Sequence, residues 1–116
     1  MFLFDTSIII KMLREKKFEP GAISVITLIE ILRGVPKNKR KTIKRLLEET
    51  FDIIGINNNT ILKYCELYEA LKRSGSLISD ADLLIAACAS TYNLKLKTMD
   101  KDFERLKELG LDIKIV

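Results

Sequence analysis

The feature that most constrains this chain is its regular succession of short apolar runs and longer amphipathic ones. FLF, AISV, DIIGI, LKLKT and LDIKIV span three to six residues each. Runs this short, β-branched or alternating, read as strands. Between them lie TSIIIKMLREKK, TLIEILRGV, KNKRKTIKRLLEET, ILKYCELYEALKRSG, ADLLIAACASTYN and KDFERLKELG, whose apolar residues recur at helical spacing. The resulting order is β-α-β-α-α-β-α-α-β-α-β. Strands separated by helices pair in parallel, so the expected fold class is α/β, a three-layer α/β/α sandwich around a mostly parallel sheet. At 116 residues the chain is expected to form one domain, residues 1–116, with a core of its own.

Local signals set the boundaries. Asp5, Thr6 and Ser7 open the first helix, Pro36 the third, and Asn57 to Thr60 the fourth. Ser79 or Asp80 caps the fifth. Pro20-Gly21 marks a turn, and Gly34, Gly75 and Gly110 close helices. Ile26, Ile29 and Leu32 at helical spacing put Glu30 at the border of an apolar face. Ile43, Leu46 and Leu47 are expected to face inward, as are Ile61, Tyr64, Cys65, Tyr68 and Leu71. Cys65 and Cys88 read as buried thiols of a reducing compartment, since no short-spaced pair suggests a disulfide or zinc site. Asp5 interrupts the apolar N-terminus, no basic segment precedes it, and no run is long enough to span a bilayer. A cytoplasmic protein without membrane contact is expected.

Four carboxylates stand at the edges of the most apolar segments: Asp5 in FLFDTS, Glu30 in VITLIEILRG, Asp82 in SDADLLIAAC and Asp100 in LKTMD. Each has a mundane role available. Asp5 and Asp100 can cap helices, Asp82 suits a first helical turn, and Glu30 can pair with Arg33. As a set they say more. Ligands of a parallel sheet bind beyond the carboxyl ends of its strands, where Asp5 and Asp100 fall. Clustered carboxylates repel unless a cation neutralises them. With no His in the chain, an oxygen-only set points to Mg²⁺ or Mn²⁺ and to chemistry on phosphate esters.

FLFDTSIII, SVITLIEILRG, SDADLLIAACA and LKTMDKDFERL, in this order over almost the whole chain, resemble the PIN-domain family, most closely its VapC-type toxin ribonucleases. The resemblance implies a metal-dependent endoribonuclease, the toxin of a toxin–antitoxin pair. It implies catalytic roles for Asp5, Glu30, Asp82 and Asp100, with Asp82 preferred over Asp80. Asp5, Asp82 and Asp100 would bind metal, and Glu30 would hold a second ion or orient the attacking water. Thr6 and Thr98 match hydroxyls that accompany the first and last acids. Implied partners are RNA, a cognate antitoxin and a second copy of the chain in a homodimer.

Twenty Lys and Arg against sixteen Asp and Glu give a net charge of +4. Lys37, Lys39, Arg40 and Lys41 concentrate that excess and are expected to hold RNA phosphates near an otherwise repulsive acidic site. The rival for this run is a solvated helix face. Two further readings compete: a non-catalytic RNA- or protein-binding scaffold, and an aspartyl phosphatase or phosphoreceiver domain. The latter lacks the paired acids expected after the first strand.

Overall fold

A computed structural model describes residues 1–116. Its centre is a parallel sheet of five strands: β1 (Phe2–Phe4), β2 (Ala22–Ser24), β3 (Asp52–Ile54), β4 (Lys95–Thr98) and β5 (Ile113–Ile115). The spatial order is β3-β2-β1-β4-β5. Helices α1 (Thr6–Glu15), α2 (Val25–Arg33), α3 (Arg40–Thr50), α4 (Asn58–Arg73), α5 (Asp80–Thr91) and α6 (Glu104–Lys107) fill the connections. Short 3₁₀ turns at Lys37–Lys39 and Lys101–Phe103 lead into α3 and α6.

The alternation of side chains along each strand divides the core into two halves. Leu3, Leu96 and Ile113 point to one face, where they meet Leu67 and Leu71 of α4, Leu83 and Ala87 of α5, Phe103, and Leu106 of α6. Phe4 and Ile23 point to the other, against Ile8, Ile9 and Met12 of α1, Leu28 and Ile31 of α2, and Leu47 of α3. This is the three-layer α/β/α arrangement. Helix α5 lies innermost: Leu83, Ile85, Ala86, Ala87, Cys88 and Ala89 are all buried, as expected of a helix apolar on every side. Its small residues let α4 pack closely.

Three readings of helix faces are corrected. In α2 the buried residues are Thr27, Leu28 and Ile31, and Ile29 is 58% exposed. In α4 they are Thr60, Leu67 and Leu71, leaving Ile61, Cys65 and Tyr68 on the surface. In α3 Leu47 is buried but Leu46 is exposed. Segments with apolar residues on most sides carry more than one helical stripe, and tertiary packing selects among them. Cys88 is the buried thiol, beside Ser24.

Candidate active site

From β1 the chain winds to β2 and β3 on one side, then returns to place β4 and β5 on the other. Connections therefore leave β1 and β4 in opposite directions and open a crevice beyond their carboxyl ends. Asp5 follows β1 directly, and Asp100 follows β4 by two residues.

Asp5 is 3% exposed. Its N–H donates to the Lys97 carbonyl at 3.1 Å, continuing the β1–β4 ladder past the strand end. One carboxylate oxygen caps α1 by accepting the Ile8 N–H at 3.1 Å. The Ser7 hydroxyl donates to that same oxygen at 2.6 Å and accepts the Met99 N–H at 3.2 Å. The second oxygen accepts the hydroxyl of Thr98, which is fully buried. Thr98 in turn accepts the Asp100 N–H at 2.9 Å. A single hydroxyl thus sets the spacing between the two strand-end acids. Asp100 accepts the Asp102 N–H at 2.9 Å and caps the 3₁₀ turn.

Asp82 lies half-buried in the first turn of α5, behind the Ser79 cap. Asp80 turns outward to accept the Tyr64 hydroxyl at 2.6 Å. That bond separates the two acids, one held by α4 and one left facing the crevice. Glu30 lies one helix away. The Thr6 hydroxyl lies 2.6 Å from a Glu30 carboxylate oxygen and 3.1 Å from the Thr27 hydroxyl. Thr6 has one hydroxyl proton, which goes to the carboxylate, the stronger acceptor, while buried Thr27 donates to Thr6. Arg33 stands 3.7 Å from the other side of Glu30.

Burial pushes the Asp5 carboxyl above its ordinary range. The bonds from Ser7, Thr98 and Ile8 oppose this, and the charge of Asp100 adds to it. Burial raises Asp82 as well, and the charges of Asp100, Asp5 and Glu30 raise it further. The four acids therefore share one electrostatic neighbourhood. No Lys or Arg pairs with Asp5, Asp82 or Asp100; the ion pairs lie elsewhere, apart from Arg33–Glu30.

As the side chains stand, no three carboxylates are gathered closely enough to enclose a metal ion. The donor set is nevertheless all oxygen, partly desolvated and without a cationic partner, which is the chemistry a hard divalent ion satisfies.

Thr6 and Thr98 both contact acids of the group. Ser7 and Thr27 were not anticipated. Ser7 was legible only as a possible cap, and Thr27 gave no signal beyond lying three residues before Glu30. In the basic run, Lys37, Lys39 and Lys41 are exposed and outside every ion pair. Arg40 instead commits Nε to the carbonyls of Leu32 and Val35 at 3.1 and 3.0 Å, tying α3 to the end of α2.

The PIN domain family model matches residues 2–109. A "Ribonuclease VapC1" of Methanocaldococcus jannaschii is 40% identical over 115 residues, covering 96% of this chain and 85% of that protein. The 2.2 Å structure of VapBC-1 from nontypeable Haemophilus influenzae superposes with a TM-score of 0.83 at 26% identity, covering 98% of this chain and 96% of its own. VapBC2 from Rickettsia felis, bound to a DNA fragment from its promoter, gives 0.84 at 25% identity over 99% and 98%. An aspartate pair joined by a buried threonine at a strand-order switch thus occurs in a chain matched by one family along nearly its full length: the protein belongs to the PIN-domain family and, within it, to the VapC group.

Proposed function

We propose that this protein is a metal-dependent endoribonuclease, the toxin of a toxin–antitoxin pair, working as a single nuclease domain over residues 1–116. The support that carries the reading is the pair Asp5 and Asp100, joined through Thr98 at the strand-order switch, with Asp82 close enough to feel their charges and that of Glu30, and none of the three aspartates having a cationic partner. Kinship with proteins named as VapC ribonucleases supports RNA as the substrate.

In this reading Asp5, Asp82 and Asp100 would hold Mg²⁺ or Mn²⁺. The ion, when bound, polarises the phosphoryl oxygens and lowers the pKa of its water. The chain supplies orientation. Ser7 and Thr98 fix both oxygens of Asp5, so the carboxylate cannot turn away. Thr98 couples its position to that of Asp100. Glu30, steadied by Thr6, orients the attacking water or holds a second ion. Lys37, Lys39 and Lys41 hold the RNA backbone, and Arg40 contributes the guanidinium nitrogens left free by its helix-capping bonds.

An antitoxin and a homodimer are proposed by analogy with the VapBC complexes. The apolar residues left exposed on α2 and α4, Ile29, Ile61 and Leu62, suit either contact.

The test is RNA cleavage by purified protein in Mg²⁺ or Mn²⁺, with and without EDTA, beside Asp5→Asn. Cleavage is expected only in the unchelated wild type. Tight RNA binding without cleavage, unaffected by EDTA, would favour the scaffold reading instead.

A further inference from the structure

Helix α1 covers only part of its face of the sheet. On that face Phe2, Lys95, Lys97 and Lys114 alternate with the inward-pointing Leu96 and Ile113, and the strands put Lys97 directly beside Lys114. Lys97 and Lys114 reach over the Phe2 ring at 5.3 and 5.7 Å. Between this open strip and α1 runs a groove of about 350 Å³. Ile8, Met12, Phe18 and Val116 give it apolar walls, and Lys11, Lys17 and Lys97 its positive charge, against Glu15 and Glu19. Lys97 is spent on Glu19, 3.0 Å away. Lys11, Lys17 and Lys114 are exposed and belong to no ion pair.

The groove adjoins the acidic crevice. Ile8, in its wall, is the residue whose N–H caps onto Asp5. Val116, opposite, donates its N–H to the Thr98 carbonyl. The Ser7–Met99 hydrogen bond, 3.2 Å, joins the same two chain segments, and the Met99 side chain is exposed.

We propose that this groove is a second docking site for the RNA strand, receiving a nucleotide next to the scissile phosphate. The inference rests on the ribonuclease reading above and extends it to a surface separate from the basic run at the start of α3. The occupant follows from complementarity. Unpaired lysines around an apolar floor with an exposed aromatic ring suit a ligand that alternates phosphate with flat bases, as single-stranded RNA does. The volume is at the small end of ligand pockets, the scale of one nucleoside rather than a folded partner.

Binding is measured by fluorescence anisotropy with a labelled RNA of about 12 nucleotides, on the Asp5→Asn background so that cleavage does not intervene. Lys11→Gln, Lys17→Gln and Lys114→Gln combined should weaken binding on the order of tenfold at low salt. The slope of log affinity against log salt should fall by about 2, from three lost contacts on a single strand. Phe18→Ala should weaken binding by a similar factor with the slope unchanged. In the cleaving protein the triple variant should raise KM and leave kcat unchanged.

Affinity within twofold of the parent, with a salt slope changed by less than about 0.5, would overturn the proposal. So would a triple variant that binds RNA normally but changes its oligomeric state, which would make the groove a protein interface. Failure of the ribonuclease reading shows separately, as wild-type protein that binds RNA and does not cleave it.

Discussion

Asp5 carries two duties, closing α1 and presenting a carboxylate to the crevice, and their energetics differ. Capping needs only an acceptor, whereas the charge is costly where it is buried. In metal-free protein the raised Asp5 pKa means that the native state keeps a proton the unfolded chain, near 3.8, has released. The associated stability is complete below that value and is lost as pH rises through the native pKa. Asp5→Asn should therefore flatten this part of the pH profile in urea melts with EDTA and match or exceed the wild type at neutral pH. Asp5→Ala should be less stable than Asp5→Asn by about 2 kcal/mol, because Ile8 N–H, Ser7 and Thr98 lose their acceptor. A pH profile as steep in the Asn variant as in the wild type would refute the cost assigned to the charge. At this scale the sequence singled out acids that the structure brings near one another, and gave little sign of their supports. Acids at the edges of apolar runs stand out, but hydroxyls such as Ser7 and Thr27 are identified only by the neighbours that folding gives them.

Element boundaries followed from caps and turns that act within a few residues. Asn57 and Thr60 form a reciprocal capping box, and Ser79 caps α5. Which stripe of a helix faces inward was harder to read, as Ile29 and Ile61 show, because that depends on what packs alongside. Two elements yield direct tests. The Tyr64–Asp80 bond joins α4 to α5, and Asp80 pushes the Tyr64 phenol up to about 12. Ultraviolet titration should show one of the three tyrosines ionising late, and Tyr64→Phe should abolish that step. The bond's contribution to stability is present below the ordinary tyrosine pKa of about 10 and is lost as pH rises toward 12. At the entry to β2, a Cβ on Gly21 would lie 2.5 Å from the Phe4 ring and 2.9 Å from the Phe2 carbonyl. Gly21→Ala should cost about 2 kcal/mol by chemical denaturation, since the backbone of β1 has to yield. An unchanged midpoint would mean that β1 and β2 are less tightly opposed than described.

For the whole molecule, alternation of strands and helices was enough to predict the layers and parallel pairing, but not the strand order. The order β3-β2-β1-β4-β5 depends on contacts between segments far apart in sequence, such as Phe4 with Lys97. That order brings Asp5 and Asp100 to adjacent strand ends, so the candidate acids were legible as residues before their common location was. If the crevice holds a divalent ion, binding must raise the stability of the entire fold by mass action. Mg²⁺ or Mn²⁺ at about 100 times its dissociation constant should lift the melting temperature on the order of 10 °C, and EDTA should reverse it. Asp5→Asn should show little of this rise; an equal rise in that variant would place the ion elsewhere. The shared duty of Asp5 also limits how a lineage can silence such a protein. Most replacements there would remove the proposed metal-binding carboxylate and loosen the first helix together, leaving a chain exposed to proteolysis. Asparagine keeps one acceptor oxygen for the Ile8 N–H and the Ser7 hydroxyl, and the Thr98 hydroxyl has to turn to receive its amide; of the replacements it disturbs the helix end least, so it is the one by which an inactive descendant could persist as a folded protein and acquire another use.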